Sequence, residues 1–237
     1  MKIALASAPV RSGDVAYQLT QMAKYISLAK EQGAELVCFG EAYLQGFDAL
    51  TWKYEEDCST AISCNSGLFQ IIAGWTRDSG INVLFGFLER DGDAIYSSCA
   101  LVGGGTLLRK YRRVSKGWKE YRQTDDHYRE GDCVECFPYK GKNCLMALCG
   151  DLWDETAERF KQVADLLIWP VFVDYTKEVW ESVAQKEYAE KAAEFCGDVL
   201  MINPLGGEAH GGSCHFRNGT VKAALPMNEE GLLLVEV

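Results

Sequence analysis

The chain has 237 residues, 48% of them hydrophobic and 24% charged, with a formal net charge of −10. That length can bury a large core, as one large domain or two small ones. The acidic balance argues against nucleic acid and anionic membranes as partners, since both need clustered Lys and Arg, and no run reaches the roughly 18 consecutive apolar residues of a membrane span.

The elements follow in chain order. KIALASAP reads as a first strand rather than as a signal peptide. Val15, Leu19, Met22, Ile26 and Ala29 recur at helical spacing, and Gly33 ends that helix. ELVCFGE is a near-continuous apolar run, as in a strand covered on both faces. Leu68, Ile71, Ile72 and Trp75 mark a second helix, and INVLFGFLE a strand. AIYSSCALVG and TLLRKYRRV form a hairpin around Gly103, Gly104 and Gly105. NCLMALCGD is a strand, Asp154 to Val163 a helix and ADLLIWPVFV a strand. Thr176 to Cys196 carries Val179, Trp180, Val183, Tyr188, Ala192 and Phe195 at helical period and ends at Gly197. VLMINPLG, a hairpin around Arg217 to Thr220, and GLLLVEV close the chain. No linker or repeat interrupts the alternation, so residues 1–237 read as a single α/β domain.

The 10 cysteines are scattered through apolar strands, which fits buried free thiols in a reducing, cytoplasmic setting better than disulfides. Cys133 and Cys136 form the one close pair, but a zinc site needs a second ligand pair and none is visible.

In an α/β sheet, reactive groups gather at the C-terminal ends of strands. Three such ends carry them here: Glu41 after ELVCFG, Cys149 with Gly150 and Asp151 after NCLMAL, and the cations Arg109, Lys110, Arg112, Arg113, Lys116 and Lys119. Singly these read as a solvated carboxylate, a packed thiol and a solvated strand edge. Together they meet the needs of amide cleavage. A thiol is the nucleophile, a carboxylate takes its proton, and a cation with the Gly150 N–H steadies the oxyanion.

At this point the chain resembles a family. Phe39-Gly40-Glu41-Ala42-Tyr43-Leu44-Gln45-Gly46-Phe47 is similar to the Glu motif, and Cys149-Gly150-Asp151-Leu152-Trp153 to the Cys motif, of the nitrilase/carbon–nitrogen hydrolase superfamily. Tyr111-Arg112-Arg113, VLMINPLG and Gly211 to Ala223 resemble its remaining blocks in the right order. The resemblance implies an αββα sandwich with a Glu–Lys–Cys triad. It implies a small-molecule amide as substrate, with amide favoured over nitrile, no metal or cofactor, and a homodimer. Two departures stand out. Gly40 replaces the usual Pro before the Glu, and Arg113 falls where Lys is expected. Lys119 and Lys116 are the alternative cations, Glu120 sits where a second carboxylate is expected, and Asp151 anchors the turn behind the nucleophile. Two rivals stay open: a binding or regulatory protein on the same fold, weakened by loss of the lysine, and a Cys–His hydrolase using His127, His210 or His215.

Overall fold

The computed structural model describes residues 1–237. Its elements are β1 (Lys2–Ser7), α1 (Val15–Glu31), β2 (Leu36–Cys38), α2 (Tyr54–Thr60), α3 (Gly67–Ser79), β3 (Asn82–Asp91), β4 (Ala94–Gly103), β5 (Thr106–Arg112), β6 (Phe137–Tyr139), β7 (Lys142–Met146), β8 (Leu166–Pro170), α4 (Lys177–Val179), α5 (Gln185–Ala193), β9 (Asp198–Ile202), β10 (Leu205–Gly206), β11 (Ala209–His210), β12 (Cys214–Arg217), β13 (Thr220–Ala224) and β14 (Gly231–Glu236).

Two six-stranded sheets result, ordered β14-β1-β2-β3-β4-β5 and β13-β12-β9-β8-β7-β6. Each has three parallel strands at its centre, β1–β2–β3 in one and β7–β8–β9 in the other. Antiparallel strands flank both trios. Strand alternation explains why the layers stack. Ile3, Leu5, Leu36, Cys38 and Leu84 join the core shared with the second sheet. Their neighbours Ala4, Ala6, Val37, Phe39 and Phe85 pack outward under α1 and α3 with Met22, Tyr25, Ile26, Phe69 and Ile72. Tyr188, Ala189 and Ala192 of α5 cover the far face of the second sheet. The order is helix, sheet, sheet, helix: an αββα sandwich. No helix is long and apolar enough to cross a membrane.

Helix α1 starts where the Asp14 side chain accepts from Tyr17 N at 2.9 Å, an N-cap worth about 1 kcal/mol. It gives way to Gly33, whose φ of +75° suits a residue without a Cβ.

Several boundaries differ from the sequence expectation. Strand β2 stops at Cys38, so Glu41 sits in the loop beyond it, and β7 stops at Met146, so Cys149 lies past the strand. Between Asp154 and Val163 only a 3₁₀ turn, Ala157–Phe160, forms. The helix expected from Thr176 to Cys196 forms without a gap from Lys177 to Ala193, but it contains a π turn, Trp180–Ala184, and stops short of Gly197. The Trp180 indole is buried within this turn. Helix α2 carries Tyr54-Glu55-Glu56-Asp57, a stretch too polar for its periodicity to reveal.

Candidate active site

Glu41 is set by a crossing of loop over strand. At Gly86 of β3, a Cβ would come within 2.5 Å of Gly40 O and Ala42 N, so the loop can lie on the strand only because that residue is glycine. Gly40 is equally confined, since a Cβ there would lie 2.4 Å from Pro204 Cδ. The ring of Pro204 therefore fills the space beside the turn. Glu41 N donates across to Val171 O, the residue just past β8 of the second sheet, at 3.1 Å, which ties the turn to the segments leaving both sheets.

The Glu41 side chain is 1% exposed. It accepts from Ser97 Oγ at 2.8 Å and from Arg113 Nη1 at 3.0 Å to Oε1 and 3.3 Å to Oε2. Arg113 is itself buried, and its Nε donates to Ser115 Oγ at 2.7 Å. Burial opposes its charge, but Glu41, Cys149 and Asp151 outweigh that and raise its pKa. Its Nη2 donates to no protein acceptor and lies against Gly150, where a Cβ would come within 2.5 Å of it.

Strand period sorts the cation run. Tyr111 and Arg113 face inward, while Lys110 and Arg112 turn to Glu89 on the other face, with Arg112 Nε and Nη2 at 2.8 and 2.7 Å from it. Arg109 pairs with Glu135. The other candidate cations are tied elsewhere. Lys116 is exposed and 3.5 Å from Glu155. Lys119 Nζ bonds Glu130 at 3.0 Å and Tyr128 O. The turn Lys116–Trp118 buries the Trp118 ring and sends Lys116 outward. Glu120, expected near the site, is exposed and accepts from Arg122 N at 3.4 Å.

Cys149 opens a 3₁₀ turn, Cys149–Leu152, beyond β7, with a φ of +36°. A non-glycine residue held there stores strain of about 1–3 kcal/mol, and such strain gathers at functional turns. Two bonds hold it. Trp169 Nε1 donates to Cys149 O at 2.9 Å, and Cys149 Sγ reaches Phe172 O at 3.7 Å. Burial pushes the thiol up to about 11, the charge on Glu41 adds to the rise, and Arg113 opposes it.

Asp151 is fully buried and joins two of the converging segments. Its Oδ2 accepts from Leu148 N at 2.8 Å and Tyr111 OH at 2.5 Å. Its Oδ1 accepts from Val114 N at 3.1 Å and Ser115 N at 2.8 Å. One carboxylate thus fixes the residue before Cys149 and the two residues after Arg113. Burial raises its pKa, against the pull of Arg113 and these donors. Asn203 is also buried, bonding Val173 N at 3.1 Å and Gly211 O at 2.8 Å.

The histidines lie with other partners. His127 pairs with Asp125 at 2.9 Å and stacks on Tyr54, and His215 pairs with Asp198 at 2.8 Å. His210 sits in the short ladder of β10 and β11. Cys133 is exposed, and Cys136 Sγ faces Val163 O. Sequence reasoning missed Ser97 and Ser115, and it found Tyr111 only as a motif position, not as the partner of Asp151. Ser97 had a weak signal, the Ser97-Ser98 pair inside a largely apolar strand, whereas Ser115 had none.

Comparison with known proteins gives three findings. A family described as carbon–nitrogen hydrolase matches residues 2–237. A glutamine-dependent NAD(+) synthetase of Thermotoga maritima is 25% identical over 222 residues, 88% of this chain and 36% of that protein. The chain thus spans about a third of the length of that relative. Among solved structures, an amidase from Nesterenkonia sp. superposes with a TM-score of 0.81 at 20% identity, covering 100% of this chain and 90% of that one. The glutamine-dependent NAD+ synthetase from Acinetobacter baumannii superposes with a TM-score of 0.78 at 22% identity, covering 98% of this chain and 44% of that one. These superpositions establish a shared fold.

Proposed function

Because the chain belongs to the carbon–nitrogen hydrolase family, we propose that residues 1–237 form one hydrolase domain that cleaves the C–N bond of a small carboxamide through a thioester on Cys149. Glu41 carries the proton and Arg113 is the fixed cation. The observation that supports this reading most is the buried Glu41–Arg113 pair, with a free Arg113 Nη2 lying against Gly150.

The resting thiol, raised by burial, is protonated near neutral pH. Glu41 accepts that proton as Sγ attacks the carbonyl carbon. The oxyanion lies between the Gly150 N–H and Arg113 Nη2, two donors that need no reorganisation. As the tetrahedral intermediate collapses, the C–N bond breaks and Glu41 returns the proton to the departing nitrogen. Water then attacks the thioester and gives Glu41 a proton, and the thiolate leaves and recovers it. Arginine does not release its proton at any ordinary pH. Every proton transfer therefore falls to Glu41, and Arg113 acts by charge and hydrogen bonding alone.

The substrate class draws support from the names of similar proteins, an amidase and a glutamine-dependent synthetase. Both names point to a carboxamide. The test is ammonia release from a panel of small primary amides. Wild type releases ammonia from at least one, and Cys149→Ser falls by about a thousandfold or more, the scale of losing an activated nucleophile. No release across the panel would refute the reading.

One observation favours a second reading. Arginine stands where the family carries lysine, which fits a binding protein with weakened catalysis. A Cys149 that resists alkylation even at alkaline pH would support the binder over the enzyme.

A further inference from the structure

We propose that Ser115 is a positioning residue for Arg113, an accommodation of arginine at this site. The proposal rests on the reading of Cys149 and Glu41 above.

A guanidinium has three nitrogens to aim, and an ammonium has one. Here each nitrogen has its own task. Nη1 holds both oxygens of Glu41, Nε is held by Ser115 Oγ at 2.7 Å, and Nη2 is left for the space beside Gly150. Nη1 alone would let the planar group pivot about its contact with Glu41. The Ser115 bond fixes that rotation, and with it the direction of Nη2. Ser115 is a firm anchor, being 1% exposed with its N–H bonded to Asp151 Oδ1 at 2.8 Å. Its hydroxyl also lies close to Gly150, 3.5 Å from where a Cβ would stand. Lysine has no counterpart of Nε–H to offer Ser115, so the hydroxyl matters only while position 113 is arginine.

The experiment is a double-mutant cycle of Ser115→Ala and Arg113→Lys, with Ser115→Thr as the conservative variant. Two rates are read: amide hydrolysis, and alkylation of Cys149 by iodoacetamide, which requires no turnover. In the Arg113 background, Ser115→Ala lowers kcat about tenfold with KM within about twofold, the scale of one hydrogen bond to a charged group. Alkylation slows severalfold, and Ser115→Thr recovers most of both rates. In the Arg113→Lys background, Ser115→Ala changes either rate by less than about twofold, as expected when the coupled partner is gone. Equal losses in both backgrounds would make Ser115 merely structural and overturn the proposal. So would unchanged rates in Ser115→Ala. If wild type hydrolyses no amide, the proposed function fails while the alkylation cycle still decides the role of Ser115.

Discussion

Replacing Asp151 by Asn isolates how the site is held together. The native carboxylate accepts four bonds, two at each oxygen, from Leu148 N, Tyr111 OH, Val114 N and Ser115 N. Asn has one acceptor oxygen. If that oxygen stays on Val114 and Ser115, the new NH2 faces Leu148 N–H and Tyr111 OH. The tyrosine hydroxyl can rotate to accept, but Leu148 N–H cannot. One buried donor left unpaired costs about 1–3 kcal/mol. The remaining bonds also fall to about half strength without the charge. Removing a buried charge whose ionisation burial already opposes offsets part of this, leaving a loss of about 2 kcal/mol. Urea unfolding monitored by tryptophan fluorescence measures it, and kinetics on an amide substrate follow the site. The Asn variant unfolds earlier and loses kcat, because Leu148 precedes the nucleophile and Ser115 anchors the cation. A change below about 0.5 kcal/mol, the size of an ordinary surface substitution, with kcat unaltered would refute this account.

Two other perturbations have definite expected outcomes. Burial opposes ionisation of Glu89, but the bonds from Arg112, Lys110 and Ser98 outweigh it and hold its pKa below the usual carboxylate range. Its contribution to stability is therefore full above the unfolded pKa of about 4.3 and is lost as pH falls through the lower folded value. Glu89→Gln accordingly destabilises by about 2 kcal/mol near neutral pH, since it weakens the charged hydrogen bonds to the half-buried Lys110 and Arg112 and leaves Arg112 only Asp91 as a carboxylate partner. The gap between variant and wild type in denaturation midpoint narrows on acidification. Gly150→Ala drives a methyl group to within 2.5 Å of Arg113 Nη2. It cuts kcat by roughly a hundredfold, the loss from one oxyanion donor, while thermal stability falls only modestly. An Ala variant of full activity would place the oxyanion elsewhere.

The layers were legible because the strands announced them. Val83, Leu84, Phe85 and Phe87 form an apolar run that only burial on both faces explains, and Met22, Ile26 and Ala29 give one helical face. Glu41, Cys149 and the Tyr111-Arg112-Arg113 run could be picked out because motif order along the chain identified them together. What stayed hidden was set by three-dimensional crossings. Nothing local says that Gly86 passes under Glu41, or that Asp151 bridges two loops. The choice among Arg113, Lys116 and Lys119 depended on which residues a short turn directs inward, and Lys119 found Glu130 and Tyr128 O through chain reversal beyond any local pattern. The π turn at Trp180 was hidden for a related reason, because one extra residue per turn leaves the apolar spacing nearly intact.

The most direct test is peptide mass spectrometry after acid quench of wild type turning over a small primary amide. The account predicts an added acyl mass on the peptide carrying Cys149, absent from Cys149→Ala and much reduced in Glu41→Gln. An unmodified Cys149 during active turnover, or an acyl group on any of the other cysteines, would contradict it.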